Sequence, residues 1–142
     1  MITRMSHVCL YVLDQDAAKA FYTEKLGFEV RFDIDMGEGF EGGGKGFRWL
    51  TVGPPDQPDV QITLADCRMG HDEQTAEEVR ALVAKGALGA AVFNTDDCHK
   101  TFRELSERGV AFLSEPAERP YGIEAVFRDD SGNWFSLTQP RG

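Results

Sequence analysis

The sequence predicts an α+β fold of two tandem βαβββ modules, on three observations. Residues 12–28 (VLDQDAAKAFYTEKLGF) and 94–110 (NTDDCHKTFRELSERGV) state one pattern twice, and aligning Asp14 with Asp96 sets Gly27 opposite Gly109 without a gap. Each copy passes from alternating apolar residues through an acidic cap and a short amphipathic stretch to a glycine and a new strand-like run. Further alternating runs then follow in each half. An internal repeat of this kind decides the architecture before any single element does. A four-stranded sheet with one helix leaves one face bare, so two modules set edge to edge are expected to form a cupped mixed sheet with the helices outside.

Taken in order, His7 to Leu13 alternates, with Val8, Leu10 and Val12 on one face and His7, Cys9 and Tyr11 on the other. Asp14 or Asp16 caps the next helix, whose apolar positions Ala17, Ala20, Phe21 and Leu26 recur at helical spacing before Gly27 ends it. Phe28 to Ile34 reads as a strand. The glycine-rich run 36–46 feeds another strand, Phe47 to Val52, instead of a helix N-terminus, so it reads as a loop and not a phosphate cradle. After the turn segment Gly53 to Pro58, Val60 to Leu64 alternates again. Residues 72–85 read as a linker helix, with a capping-box form at Thr75 to Glu78 and a buried stripe of Ala76, Val79, Leu82 and Val83. The second copy runs through strand Leu88 to Phe93, a helix with Cys98, Phe102 and Leu105 inward, and strands Val110 to Leu113, Ile123 to Arg128 and Trp134 to Thr138. The chain is read as a single domain, 1–142, with an N-terminal module 5–66, a linker helix 72–86 and a C-terminal module 87–140.

Composition excludes several classes. The 142 residues are 42% hydrophobic and 11% aromatic, which is globular, and no apolar run is long enough to span a membrane. The N-terminus lacks a cleavable signal pattern, so a cytoplasmic protein is expected. The net charge of −9, spread along both halves, argues against a nucleic-acid partner. The three cysteines have no CxxC spacing, so neither a disulfide nor a zinc clip is indicated.

The motifs His7-Val-x-Leu-x-Val, Asp14-x5-Ala20-Phe21-Tyr22, Leu26-Gly27-Phe28 and Phe127-Arg-Asp-x-x-Gly-Asn133, followed by Leu137 and Gln139, resemble the vicinal oxygen chelate superfamily, which includes glyoxalases, bleomycin-resistance proteins and extradiol dioxygenases. The resemblance covers nearly the whole chain and implies a homodimer. It also implies that the superfamily's metal enzymes draw ligands from the first and last strands of each module. Carried over, those positions are His7, Thr63, Gly89 and Ser136, of which only His7 is a good ligand for a divalent ion. No cofactor is therefore expected, and a metal centre is disfavoured.

By alternation, the cup should present His7, Cys9, Tyr11, Gln61 and Thr63 from one module. The other should add Gly89, Ala91, Phe93, Trp134, Ser136 and Thr138, with Trp49 or Phe47 joining from the third strand. The ligand-binding set is read as His7, Tyr11, Trp49, Gln61, Thr63, Phe93, Trp134 and Ser136. Such a wall suits a small aromatic or cationic molecule. The candidates for proton transfer are His7 and Glu124, the latter if it faces the cup instead of pairing with Arg128. The expectation is thus a small-molecule binder without a catalytic metal. The alternative is a metal-dependent glyoxalase-like lyase, an isomerase or a dioxygenase.

Overall fold

A computed structural model describes residues 1–37 and 47–142. It contains two four-stranded mixed sheets. In module 1, β1 (His7–Val12), β2 (Glu29–Gly37), β3 (Phe47–Gly53) and β4 (Gln61–Asp66) lie in the order β1-β4-β3-β2. Module 2 repeats that order as β5-β8-β7-β6, with β5 (Gly89–Asn94), β6 (Ala111–Arg119), β7 (Gly122–Arg128) and β8 (Trp134–Pro140). The first strand of each module runs parallel to the last, and the other pairs are antiparallel. The fold is α+β with tandem modules, as the repeat predicts. The glycine-rich run lies outside the described residues from 38 onward, and its first two residues, Met36 and Gly37, end β2. No described helix is long and apolar enough to cross a membrane.

Three aspartates start the helices by accepting a backbone N–H. They are Asp14 for α1 (Gln15–Ala20), Asp72 for α2 (Glu73–Ala84) and Asp97 for α3 (Cys98–Glu107). The linker helix is therefore capped by Asp72, within the expected span of 72–85, and the capping-box form at Thr75 to Glu78 lies inside it. Its inward positions are Ala76 and Val83, while Leu82 is exposed. In the first helix Ala18, Phe21 and Tyr22 are buried and Ala17 and Ala20 are exposed, so the helix is rotated from the expected face.

The gapless repeat conceals two insertions that cancel. Gly89 pairs with Trp134 as His7 pairs with Gln61, but a bulge follows, and it is Val92 that pairs with Ser136, as Cys9 pairs with Thr63. Module 2 thus gains one residue in its first strand, and its helix cap falls at Asp97 instead of Asp96. Module 1 gains one residue in its helix, where α1 passes into a π turn, Phe21–Lys25, closed by the Leu26 N–H on the Phe21 carbonyl at 3.3 Å. Both copies regain register at glycines with positive φ, Gly27 (74°) and Gly109 (91°).

One apolar core runs through both modules. Leu10, Val12, Leu50, Val52, Ile62 and Leu64 from one sheet join Ala125, Phe127, Phe135 and Leu137 from the other, with Phe21 and Tyr22 between. Phe28 meets Phe93 edge-on at 5.4 Å across the modules. Polar clamps hold the same junction. The turn 129–133 brings Asp129 to the Tyr22 hydroxyl (2.7 Å), Ser131 to the Leu13 N–H (2.9 Å) and Asn133 to the Tyr11 carbonyl (2.9 Å). Asp129 is buried, yet satisfied: its Oδ1 accepts the N–H groups of Ser131, Gly132 and Asn133 at 2.9, 2.9 and 3.0 Å.

Candidate functional site

Each sheet packs one face on the core and leaves the other open. On module 1 the open face carries His7, Cys9 and Tyr11 from β1, Gln61 and Thr63 from β4, Trp49 and Thr51 from β3, and Phe32 and Ile34 from β2, by alternation and register. The rings of His7 and Trp49 lie 5.9 Å apart, and Phe47 lies 6.4 Å from Trp49 on the same side. Both β3 aromatics therefore serve this face, not one alone. His7 Nδ1 is 2.7 Å from the Ser6 hydroxyl. Beneath this layer the Thr51 hydroxyl donates to Gln61 Oε1 at 2.7 Å, and Thr51 and Thr63 are buried. Tyr11 rests its ring 5.0 Å from His71 and donates its hydroxyl to the Met69 carbonyl. Burial pushes the thiol pKa of Cys9 up, which leaves it a weak nucleophile.

Module 2 presents a different face. Phe93 is not on it, which corrects the expected ligand-binding set. The bulge between Gly89 and Ala91 inverts the alternation of β5, so Phe93 turns inward and stacks at 4.7 Å on Phe135 and 6.2 Å on Phe127, while Val92 takes the open position. Ala91 leaves the expected wall of the cup for the same reason.

Trp134 is on the open face, 37% exposed. Its indole lies so close over Gly89 that a Cβ there would fall 2.4 Å from Cζ2 and 2.8 Å from Cε2 and Cη2. The backbone of Gly89 does not require glycine, since its φ is not positive, but the indole does. The position that would carry a metal ligand in the superfamily's enzymes is thus covered by an aromatic ring.

Ser136, at another such position, donates its hydroxyl to Glu124 Oε2 at 2.5 Å and lies 2.7 Å from the Thr138 hydroxyl. Glu124 does face the open side. It also accepts the Tyr121 hydroxyl at 2.6 Å, and its ion-pair partner among the described residues is Arg119 at 3.8 Å, not Arg128. Hydrogen bonds from Ser136 and Tyr121 hold its carboxyl pKa below the usual range, so it is a poor general base. Tyr121 carries no sequence signal for this role: it sits in the β6–β7 turn and reaches Glu124 only through the hairpin's geometry.

No hydrogen bond or ring contact connects His7, Tyr11, Trp49, Gln61 and Thr63 with Trp134, Ser136 and Glu124. Among the described residues no group of three or more His, Cys, Asp or Glu side chains is placed to hold a metal ion. A separate cavity of about 610 Å³ opens on the core side, between Pro54, Asp56 and Gln57 of the β3–β4 turn and Phe93, Asn94 and Thr101 of module 2.

A family model for the Glyoxalase/Bleomycin resistance protein/Dioxygenase superfamily matches residues 4–137. The uncharacterized protein YurT of Bacillus subtilis (strain 168) is 35% identical over 131 residues, which is 92% of this chain and 94% of that protein. Among solved structures, UcmS2 is 51% identical with a TM-score of 0.88, over 97% of this chain and 98% of its own. TnmS3, an antibiotic binding protein from Streptomyces sp. CB03234, is 32% identical with a TM-score of 0.73, over 99% and 98%. With the duplicated βαβββ topology, these matches make the chain a member of the Glyoxalase/Bleomycin resistance protein/Dioxygenase superfamily.

Proposed function

We propose that the chain is a non-catalytic binder of a flat, aromatic or cationic small molecule, working as a homodimer and without a metal. The observation that carries this reading is the indole of Trp134 lying over Gly89. A ligand-bearing side chain at position 89 would have to displace that ring. The other three superfamily positions fit an ion no better. Thr63 is buried, Ser136 is committed to Glu124, and His7 stands without a second strong donor at those positions. A catalytic ion of this kind needs about three good protein ligands. A half-exposed indole on one face and the Trp49–His7 pair on the other instead offer stacking surface.

The open strand edges support the homodimer. β1 and β5 each pair on one side only, and each borders an open face. A second copy that set its module 2 beside module 1 of the first would cover both edges and enclose a ligand between unlike walls. The likeness to TnmS3, an antibiotic binding protein, supports antibiotics as the ligand class to try first.

Elemental analysis of protein purified without chelator should find far less than one zinc, nickel, manganese or iron per chain. Light scattering should give a dimer mass. In a thermal-shift panel, flat aromatic cations should raise the midpoint, because a ligand that binds only the folded state stabilises it. A stoichiometric metal, or turnover of thiol conjugates or catechols, would sink this reading in favour of the enzyme.

A further inference from the structure

The hydroxyl hydrogens on the open face of module 2 all run one way. Ser136 has a single hydroxyl hydrogen and gives it to Glu124 Oε2. The Ser136–Thr138 bond at 2.7 Å must then take its hydrogen from Thr138. Tyr121 gives its own to Glu124 Oε1. The same bonds lower the pKa of Glu124 and raise that of Tyr121, so the carboxylate keeps its charge and the phenol its proton. Two hydroxyls therefore spend their hydrogens on one carboxylate and a third spends its own on Ser136, so only lone pairs remain in this cluster for anything that arrives from outside. A cluster that offers acceptors alone pairs with donors, and it leaves an incoming acceptor desolvated and unmatched.

A cation already stands beside this group. The Arg119 guanidinium lies 3.8 Å from Glu124 Oε1, beyond hydrogen-bond length, on a side chain that is 48% exposed, while that of Glu124 is 18% exposed. An exposed, loosely held pair of this kind contributes little and is readily exchanged. Trp134 lies on the same face, two residues before Ser136 on β8, with its indole seated on Gly89.

We propose that Glu124, Thr138 and Tyr121 form a subsite for an organic ammonium group, with the flat part of the same ligand stacked on Trp134. The inference rests on the binder reading and narrows its ligand to cations. The ammonium donates its N–H hydrogens to Glu124 and Thr138 and takes the place of Arg119. The indole face adds cation–π attraction.

Equilibrium dialysis of the full chain at neutral pH, with protonated 9-(aminomethyl)anthracene as a flat ammonium and 9-anthracenecarboxylate as a flat anion on the same ring, tests it. The ammonium should bind about tenfold or more tighter, the scale of one charge-assisted hydrogen bond. Glu124→Gln should abolish most of that preference, because its amide reintroduces donors where only acceptors stood. Arg119→Ala removes the resident cation and should tighten the ammonium, and it serves as an independent arm if Glu124→Gln folds poorly. Equal or tighter binding of the anion, an unchanged preference in Glu124→Gln, or weaker ammonium binding in Arg119→Ala overturns the ammonium subsite while the binder reading stands. If neither probe binds at millimolar concentration, the binder reading falls and takes the subsite with it.

Discussion

Module 1 and module 2 share a scaffold and exchange their faces. Register makes Gln61 the counterpart of Trp134, and counting two residues back along β3 and β7 from Thr51 and Val126 makes Trp49 the counterpart of Glu124. One module thus sets its tryptophan on the third strand and its polar group on the fourth, and the other does the reverse. The core positions do not diverge in this way: Ile62 and Leu64 correspond to Phe135 and Leu137, all buried and apolar. The difference teaches where a duplicated fold is free to change. Core side chains must fill a shared, close-packed interior, whereas open-face side chains answer only to what binds there. The turns before the last strands differ as well. Module 1 holds its turn with Arg31 on the carbonyls of Pro54 and Gln57, and module 2 folds its turn around a buried carboxylate.

If the faces differ while the core is common, the largest loss should come from the junction. Asp129→Ala strips the acceptor from three backbone N–H groups, Tyr22 and Asn133, and should lower unfolding free energy by about 3 kcal/mol or more. Urea denaturation followed by far-ultraviolet dichroism should show one transition at lower midpoint. Two separated transitions would mean that the modules are independent and the shared core is not cooperative.

Tyr22→Phe removes one hydrogen bond to the same carboxylate and keeps the ring against Phe135, so about 1.5 kcal/mol should be lost. A loss as large as that of Asp129→Ala would place the junction's strength in this one bond instead of the turn.

Gly89→Ala tests the face alone. Its Cβ cannot coexist with the indole, so Trp134 must leave its seat, at a stability cost of about 1 kcal/mol or less because the ring is already part exposed. In a Trp49→Phe background Trp134 is the one remaining tryptophan, and its emission should shift red and become more open to acrylamide. An unchanged spectrum would show that the ring does not need the glycine.

The smallest effect expected is on pH dependence. Desolvation, then the charges of Asp129 and Asp14, push the Asp130 carboxyl up to about 6. The folded chain thus keeps this proton to a higher pH than the unfolded chain, where an aspartate titrates near about 4. The resulting stability is complete below about pH 4 and is lost as pH rises through about 6. Carboxylates with lowered pKa, Glu124 and Asp66 among them, slope the other way, so the contribution is read as a difference. Asp130→Asn should gain on the parent as pH rises from 4 to 7, and parallel stability curves would refute the assignment.

Much of the fold was legible because its signals are local. Acidic caps, alternation, glycine stops and a repeat do not depend on what lies across the molecule. The face of the first helix was misread because small alanines give little contrast between sides, and Ala18, not Ala17, turned out to be buried. The site was less legible. The assignment of Phe93 to the cup follows from strict alternation, and a bulge between Gly89 and Ala91, compensated by a π turn in the other module, leaves no gap in the alignment to reveal it. Tyr121 and Arg119 reach Glu124 from a turn and an edge strand, at separations that no motif records.

The sequence by itself determined the α+β class, the duplication and the tandem βαβββ order, because each is a matter of residue identity and short-range period, and its resemblance to the superfamily implied the poverty of metal-ligand types at four positions. Only the tertiary structure decided that Trp134 lies across Gly89, that Phe93 belongs to the core, and that the hydroxyls of Tyr121 and Ser136 converge on Glu124 with that of Thr138 on Ser136. Strand register decides all three, and a shift of one residue along a strand moves every later side chain to the opposite face.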